Sequence, residues 1–320
     1  MSGVDALSLL QSALQVSVPT FAWVLGGLLL HRVGLLSDAL ISRTSRLAFN
    51  VGLPVMLFAG AAQVDYATLG SARYLLAGVL ATLSTLALAW LYSHWRGHPR
   101  ALQGIFVQAA FRSNLAIVGV ALAVSAYGER GPVLAALPVA LMTALYNVLA
   151  VWVLNTTLGA GTSPRSLLAG IARNPLIIGI AAGVALSLSG LPVPALLVPL
   201  SSGLSQFFLP LMLLCIGGSM KLSDLRSAGT ITWEATFWRL CVGPLLAVLL
   251  AMAVGVRGEQ LGVLFLLVSS PVAASSFVMV VAARGDGVLA ANIVVLTTLL
   301  SMVTVTAGFF LLSLFSLVGY

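Results

Sequence analysis

Acidic side chains are scarce: the chain has eight Asp and Glu against fifteen Lys and Arg in 320 residues. Charged residues of both signs amount to 7%, whereas soluble domains run near ~25%. That scarcity excludes an ordinary soluble domain. The net charge of +7 follows from the missing acids. No basic patch is interleaved with aromatic residues for base stacking, so nucleic acid is not an expected partner.

Cysteine is nearly absent. Cys215 and Cys241 both fall inside apolar runs, and two such residues make neither a disulfide framework nor a metal site. They read as small buried hydrophobes. No G-x-x-x-x-G-K-[ST] loop occurs, so ATP does not drive the chain directly. His31, His94 and His98 stand at the ends of apolar runs, with no Ser or Cys paired to a buried His. An enzyme is therefore not expected, nor is a cofactor. No Lys or Arg precedes the first apolar run, which argues against a cleaved signal peptide.

What the chain has is apolar sequence, 60% of all residues. A bilayer core needs roughly 20 apolar residues per helix, and runs of that length fill most of the chain. They predict an all-α polytopic membrane protein with ten transmembrane helices, at 6–30, 39–63, 73–95, 101–127, 131–155, 166–189, 195–220, 231–255, 260–284 and 288–316. Ten spans put both termini on one side. The loops and span ends of the opposite side hold Arg32, Arg43, Arg46, Arg96, Arg100, Arg165, Arg173, Lys221, Arg226 and Arg284. The terminus side holds Arg73, Arg130 and Arg257. The positive-inside rule makes the richer side cytoplasmic. The expected setting is the plasma membrane (the inner membrane of a Gram-negative cell), with both termini outside and lipid as the surrounding partner.

The two halves match at an offset of 156 residues: Pro19 with Pro175, Gly27 with Gly183, Gly34 with Gly190, Leu53-Pro54 with Leu209-Pro210, and Met56-Leu57 with Met212-Leu213. Asn50 lands on Gln206, another amide. In the fourth span the offset becomes 157, taking Ser113 to Ser270 and Gly128-Glu129 to Gly285-Asp286. This predicts two five-helix repeats, 1–157 and 166–320, joined by a short cytoplasmic linker at 158–165. Five is odd, so the second repeat enters the membrane inverted. Secondary transporters of this architecture hold their substrate at the midplane, between the copies.

Spans four and nine carry interruptions at matching places. Arg112-Ser113-Asn114 sits mid-span in the fourth, and SSPVAASS (269–276) in the ninth. Pro271 donates no N–H and opposes the preceding turn. Unwound backbone at that depth is tolerated where it is buried in protein or lines a cavity. Each second half-helix begins near the midplane with free N–H groups and a partial positive charge. Two such ends converging suit an anionic group.

Arg112 has two readings. It meets a substrate carboxylate, or it is structural, capping carbonyls of the broken helices or pairing with Glu234. Asn114 offers amide donors and an acceptor to a ligand or an ion. Asn50 and Gln206 each stand four residues before a proline, so they either fill a kink or line the cavity. Ser269, Ser270, Ser275 and Ser276 either bind substrate or satisfy backbone. Glu234 lies near a span end, where solvation accounts for it; Arg239 is deeper and needs a partner elsewhere. Asn147 and the threonines of span ten read as interhelical glue.

Several stretches together resemble the auxin efflux carrier family of membrane permeases, which belongs with the bile-acid sodium symporters. They are FNVGLPVMLF, FRSNLAIVGVALAVSAYGERG, ARNPLIIGIAAGVALSLSGLPVP, LSQFFLPLMLLCIGGSM, WRLCVGPLLA and SSPVAASSFVMVVAARGDGVLAANIVVLTTLLSMVT. The resemblance covers nearly the whole chain. It implies a ten-helix inverted-repeat fold with scaffold and transport bundles, each drawn from both repeats. It also implies that helices four and nine cross at Arg112-Ser113-Asn114 and Ser270-Pro271. Many relatives carry Asn in a P-x-A-x-N pattern after that proline; here Ser275 stands there, followed by Ser276. The long central loop of the plant exporters is missing, with only LGAGTSPRS between the repeats.

The expected function is a secondary carrier of a small organic anion, a mono- or dicarboxylate, working by alternating access. The alternatives are a membrane sensor or scaffold on the same fold, and a cation-coupled carrier of a neutral solute. Sodium or proton coupling, and homodimerisation, stay open on sequence alone.

Overall fold

The computed structural model describes residues 6–63, 71–159, 165, 169, 172–192, 194–222 and 228–319. Among them the chain is helical, with no strand and one isolated bridge, Ser113 opposite Val272. In lipid every backbone N–H and C=O must find a partner within the chain, and apolar helices meet that demand segment by segment.

The first helix, α1 (Ala6–Arg32), is followed by α2 (Asp38–Leu47), a π-helical turn (Ala48–Gly52) and α3 (Leu53–Ala62) as one continuous tract. Ser37 caps α2 by accepting from the Leu40 N–H. Next come α4 (Ser71–Trp95), then α5 (Arg100–Phe111), a break, a π turn (Leu115–Gly119) and α6 (Val120–Tyr127). The first half closes with α7 (Arg130–Leu158). The second contains α8 (Pro175–Leu188), α9 (Leu197–Gly218), α10 (Thr230–Phe237), a π turn (Trp238–Val242) and α11 (Gly243–Ala253). It ends with α12 (Gly258–Ser269), a second break, α13 (Ala274–Ala282) and α14 (Gly287–Leu314).

The Asn174-Pro175 pair starts α8: Asn174 accepts from the Leu176 N–H and Pro175 takes the first helical position, where a missing N–H costs nothing. Gly34 (φ 79°) and Gly190 (φ 68°) end the first and the 175–188 helices in the left-handed region, which suits glycine at both matched positions.

Among the described residues, six tracts are long and apolar enough to cross a membrane: 7–32, 38–62, 72–95, 130–158, 230–253 and 287–314. The other apolar helices are shorter. Two of them are halves created by the breaks at 112–114 and 270–273. The expected sixth span begins on residues outside those described, as does most of the expected 158–165 linker.

Many large apolar side chains face outward, among them Leu91, Trp152, Leu245 and Val303. A water-soluble surface rarely shows so much contiguous apolar area, whereas a lipid-facing one requires it. Inside, small residues bring helices close. A Cβ at Gly27 of α1 would overlap the Leu214 carbonyl of α9, and one at Gly183 of α8 would overlap the Phe58 carbonyl of α3. The two contacts are related by the 156-residue offset, since Gly27 maps to Gly183 and Phe58 to Leu214.

Candidate binding site at the paired helix breaks

At its C-terminus α5 gives way to extended backbone at Arg112 (φ −89°, ψ 93°). The end of α12 likewise opens at Ser270 (φ −62°, ψ 153°). The two openings satisfy each other. Asn114 N–H donates to the Pro271 carbonyl at 2.7 Å, and Ala273 N–H to the Arg112 carbonyl at 3.4 Å. The Val272 N–H, which points away from this pairing, donates to Thr297 Oγ1 of α14 at 3.2 Å. Ser270 Oγ donates to the Leu267 carbonyl, whose helical partner would have been the Pro271 nitrogen, which carries no hydrogen.

Beside the breaks lies a cavity of about 590 Å³. Arg112, Ser113, Asn114 and Leu115 line it from one break, and Ala273, Ala274 and Ser275 from the other. Thr143, Tyr146 and Asn147 of α7 complete that wall. The facing wall is Phe49 and Asn50, Leu176 of α8, and Met212, Cys215 and Ile216 of α9. Ser45, Arg46, Asn174 and Ser219 also line it. The walls are mostly apolar, with amides, hydroxyls and one buried cation set among them, which is the general composition of a small-molecule site.

That cation is Arg112, 7% exposed. Nη1 donates to the Tyr146 carbonyl (3.2 Å), and Nη2 to Asn147 Oδ1 (2.9 Å) and Ser275 Oγ (3.1 Å). A guanidinium has five N–H donors. Nε–H has no partner, and no carboxylate lies within 4.0 Å of Arg112 among the described residues. Neutral groups thus orient the side chain and leave its charge uncompensated. Ser113 Oγ shares a hydrogen bond with Tyr146 Oη at 3.1 Å.

The pairing of Arg112 with Glu234, one of the readings open on sequence, does not occur. Nor is Glu234 simply solvated: its side chain is 13% exposed and binds Arg96 Nη2 at 2.6 Å and His98 Nε2 at 2.8 Å. Glu234 sits one turn into α10, level with the connection between α4 and α5 that carries both partners. Arg96, at the surface, is held above the ordinary arginine pKa by its hydrogen bond to Glu234 and that residue's charge. His98 packs edge-on against Phe106, 5.0 Å between ring centres.

Capping of the broken helices, one structural role open to Arg112, is performed by Arg239. This residue is fully buried. Nη1 donates to the Ala110 carbonyl at 3.1 Å and Nη2 to the Val268 carbonyl.

Of the residues expected at the site, Asn50, Arg112, Ser113, Asn114 and Ser275 line the cavity together. Ser270 and Pro271 build the break behind it. Ser276 is buried, and its hydroxyl has no partner among the described residues. Gln206 does not join them: it is exposed on α9, outside the lining residues. Cys241, expected to be buried, is exposed, whereas Cys215 is buried. Sequence reasoning missed Thr143, Tyr146, Asn174 and Ser219 as lining residues, and took Asn147 for interhelical glue. An amide midway along an apolar run was the available signal for Asn147.

No curated protein shows significant similarity to the chain. The profile of a family described as membrane transport protein matches residues 13–308. That range includes both breaks, Arg112, Arg239 and every residue lining the cavity. The chain belongs to this family, the auxin efflux carriers, and is a membrane transport protein.

Proposed function

We propose that the protein is a secondary carrier of a small organic anion, a mono- or dicarboxylate, bound at the paired breaks. The observation that carries this reading is Arg112, a buried cation on the cavity wall with no carboxylate partner among the described residues. A guanidinium held by neutral groups attracts an anion, and burial strengthens that attraction relative to water. The apolar walls accommodate the carbon skeleton.

In this reading the ten expected spans form two inverted five-helix repeats, and the tracts broken at 112–114 and 270–273 are the crossing fourth and ninth spans. The mirrored glycine contacts and the backbone pairing of the two breaks support it. Transport proceeds by alternating access, with one bundle moving against the other around the crossing. The basic loops face the cytoplasm, as the positive-inside rule requires. The cavity lining then lies on the cytoplasmic halves of the helices at 38–52, 175–188 and 197–218, so the conformation described is the inward-facing one.

Counterflow in proteoliposomes tests the class. Labelled mono- and dicarboxylates of increasing size are offered to vesicles loaded with the same unlabelled acid. Transient accumulation of at least one acid is expected. Binding of these acids without counterflow of any of them would favour a sensor and overturn the carrier.

A further inference from the structure

The second buried arginine points to a different function. Arg239 is the second residue of the π turn Trp238–Val242 and has no exposed surface. The carbonyls it holds have each lost a helical partner. Within an unbroken helix the Ala110 carbonyl would accept from the N–H of residue 114, but Asn114 N–H donates to Pro271 instead. The Val268 carbonyl would accept from the N–H of residue 272, which donates to Thr297. Both carbonyls belong to the last turns of half-helices, α5 and α12, where the helix dipole concentrates partial negative charge.

Two half-helix C-termini, one from each half of the chain, thus converge on a single guanidinium. No carboxylate lies within 4.0 Å of it among the described residues. The groups that face its charge are the two backbone carbonyls and the neutral Tyr146 phenol. In broken-helix transporters such carbonyl ends are where a coupling cation is coordinated.

We propose that Arg239 is a tethered cation, whose guanidinium permanently fills the cation site formed by the C-termini of the 100–111 and 258–269 half-helices. The breaks therefore hold their geometry without a diffusible ion at that position. Arg239 acts as a positioning residue for the crossing, and Arg112 remains free to meet the cargo. The claim concerns the breaks themselves and stands whether or not an organic anion is carried.

The test uses purified full-length protein in detergent and reads thermal stability, so it needs no cargo. Guanidinium chloride replaces choline chloride at constant ionic strength up to about 20 mM, far below denaturing concentrations, so a ligand that binds the folded state raises the midpoint by mass action. The wild-type midpoint is expected to stay level across the series. Arg239→Ala should start several degrees lower and recover with guanidinium along a saturating curve. An Arg239→Ala midpoint equal to wild type in choline, or one that guanidinium does not lift, overturns the proposal. So does an equal rise in both proteins. If Arg239→Ala does not survive purification, Arg239→Lys and Arg239→Met decide. Both fill space, and only Lys carries charge, so Lys should melt several degrees above Met; equal midpoints would leave packing as the role and refute the tethered cation.

Discussion

Gly27→Ala adds one methyl group where the helix α1 meets α9. The new Cβ would fall on the carbonyl group of Leu214, with the Leu214 Cα also closer than a real Cβ ever comes to a neighbour. These are backbone atoms of another helix, so no rotamer change relieves the overlap and the two helices must part. Overpacking of this kind costs about 1–3 kcal/mol. Alanine also improves on glycine within a helix by about 0.8–1.0 kcal/mol, which partly masks the loss. Gly203→Ala, on α9, removes that ambiguity. A Cβ there meets nothing within 4 Å, so only the propensity gain applies. The difference between the two variants isolates the overpacking. We expect Gly27→Ala to melt below Gly203→Ala by a margin on the order of several °C. The assay is intrinsic tryptophan fluorescence in detergent at one fixed scan rate, because irreversible unfolding makes the midpoint rate-dependent. Gly183→Ala, whose Cβ would fall on the Phe58 carbonyl, should behave like Gly27→Ala. Equal midpoints for Gly27→Ala and Gly203→Ala would refute the close approach, and with it the mirrored contacts that support the repeat.

Thr297→Val keeps the shape of the side chain but leaves the buried Val272 N–H unpaired. It should destabilise the protein by about 1–3 kcal/mol, measured as a lowered unfolding midpoint; no change would mean that the hydroxyl does not hold the break. Glu234→Ala should lower the midpoint more than Arg96→Ala. The first leaves Nε2 of His98 without its partner on a side chain only 6% exposed, whereas Arg96 is 42% exposed and finds water. The reverse order would contradict the ion-pair geometry.

The apolar runs made the helices legible, because membrane helices must satisfy their own backbone and cannot hide in mixed sequence. The breaks were legible too, since a mid-span Arg-Ser-Asn and a mid-span proline are costly without a reason. What the sequence could not order was the division of labour between the two deep arginines. Arg239 reaches Ala110 across 129 residues, and Glu234 reaches Arg96 across 138. Contacts at that separation depend on which helix faces lie together, which periodicity along one chain does not reveal. Gln206 shows the same limit. The 156-residue offset aligned it with Asn50, yet of the two only Asn50 lines the cavity. Tyr146 and Asn147 became site residues through the side chain they orient, on a helix 34 and 35 residues from Arg112.

The most direct measurement is the KM for uptake of the first carboxylate to show saturable transport, compared between wild type and Arg112→Gln in proteoliposomes. A charge-assisted hydrogen bond to the carboxylate contributes about 2 kcal/mol, so its loss corresponds to a roughly 30-fold rise in KM. The same carboxylate should protect wild-type protein against thermal unfolding and fail to protect the variant at equal concentration. A rise of that order, with the variant still inserted and folded, is the expected result. A KM within about twofold of wild type would contradict the assignment of Arg112 as the anion's counter-charge.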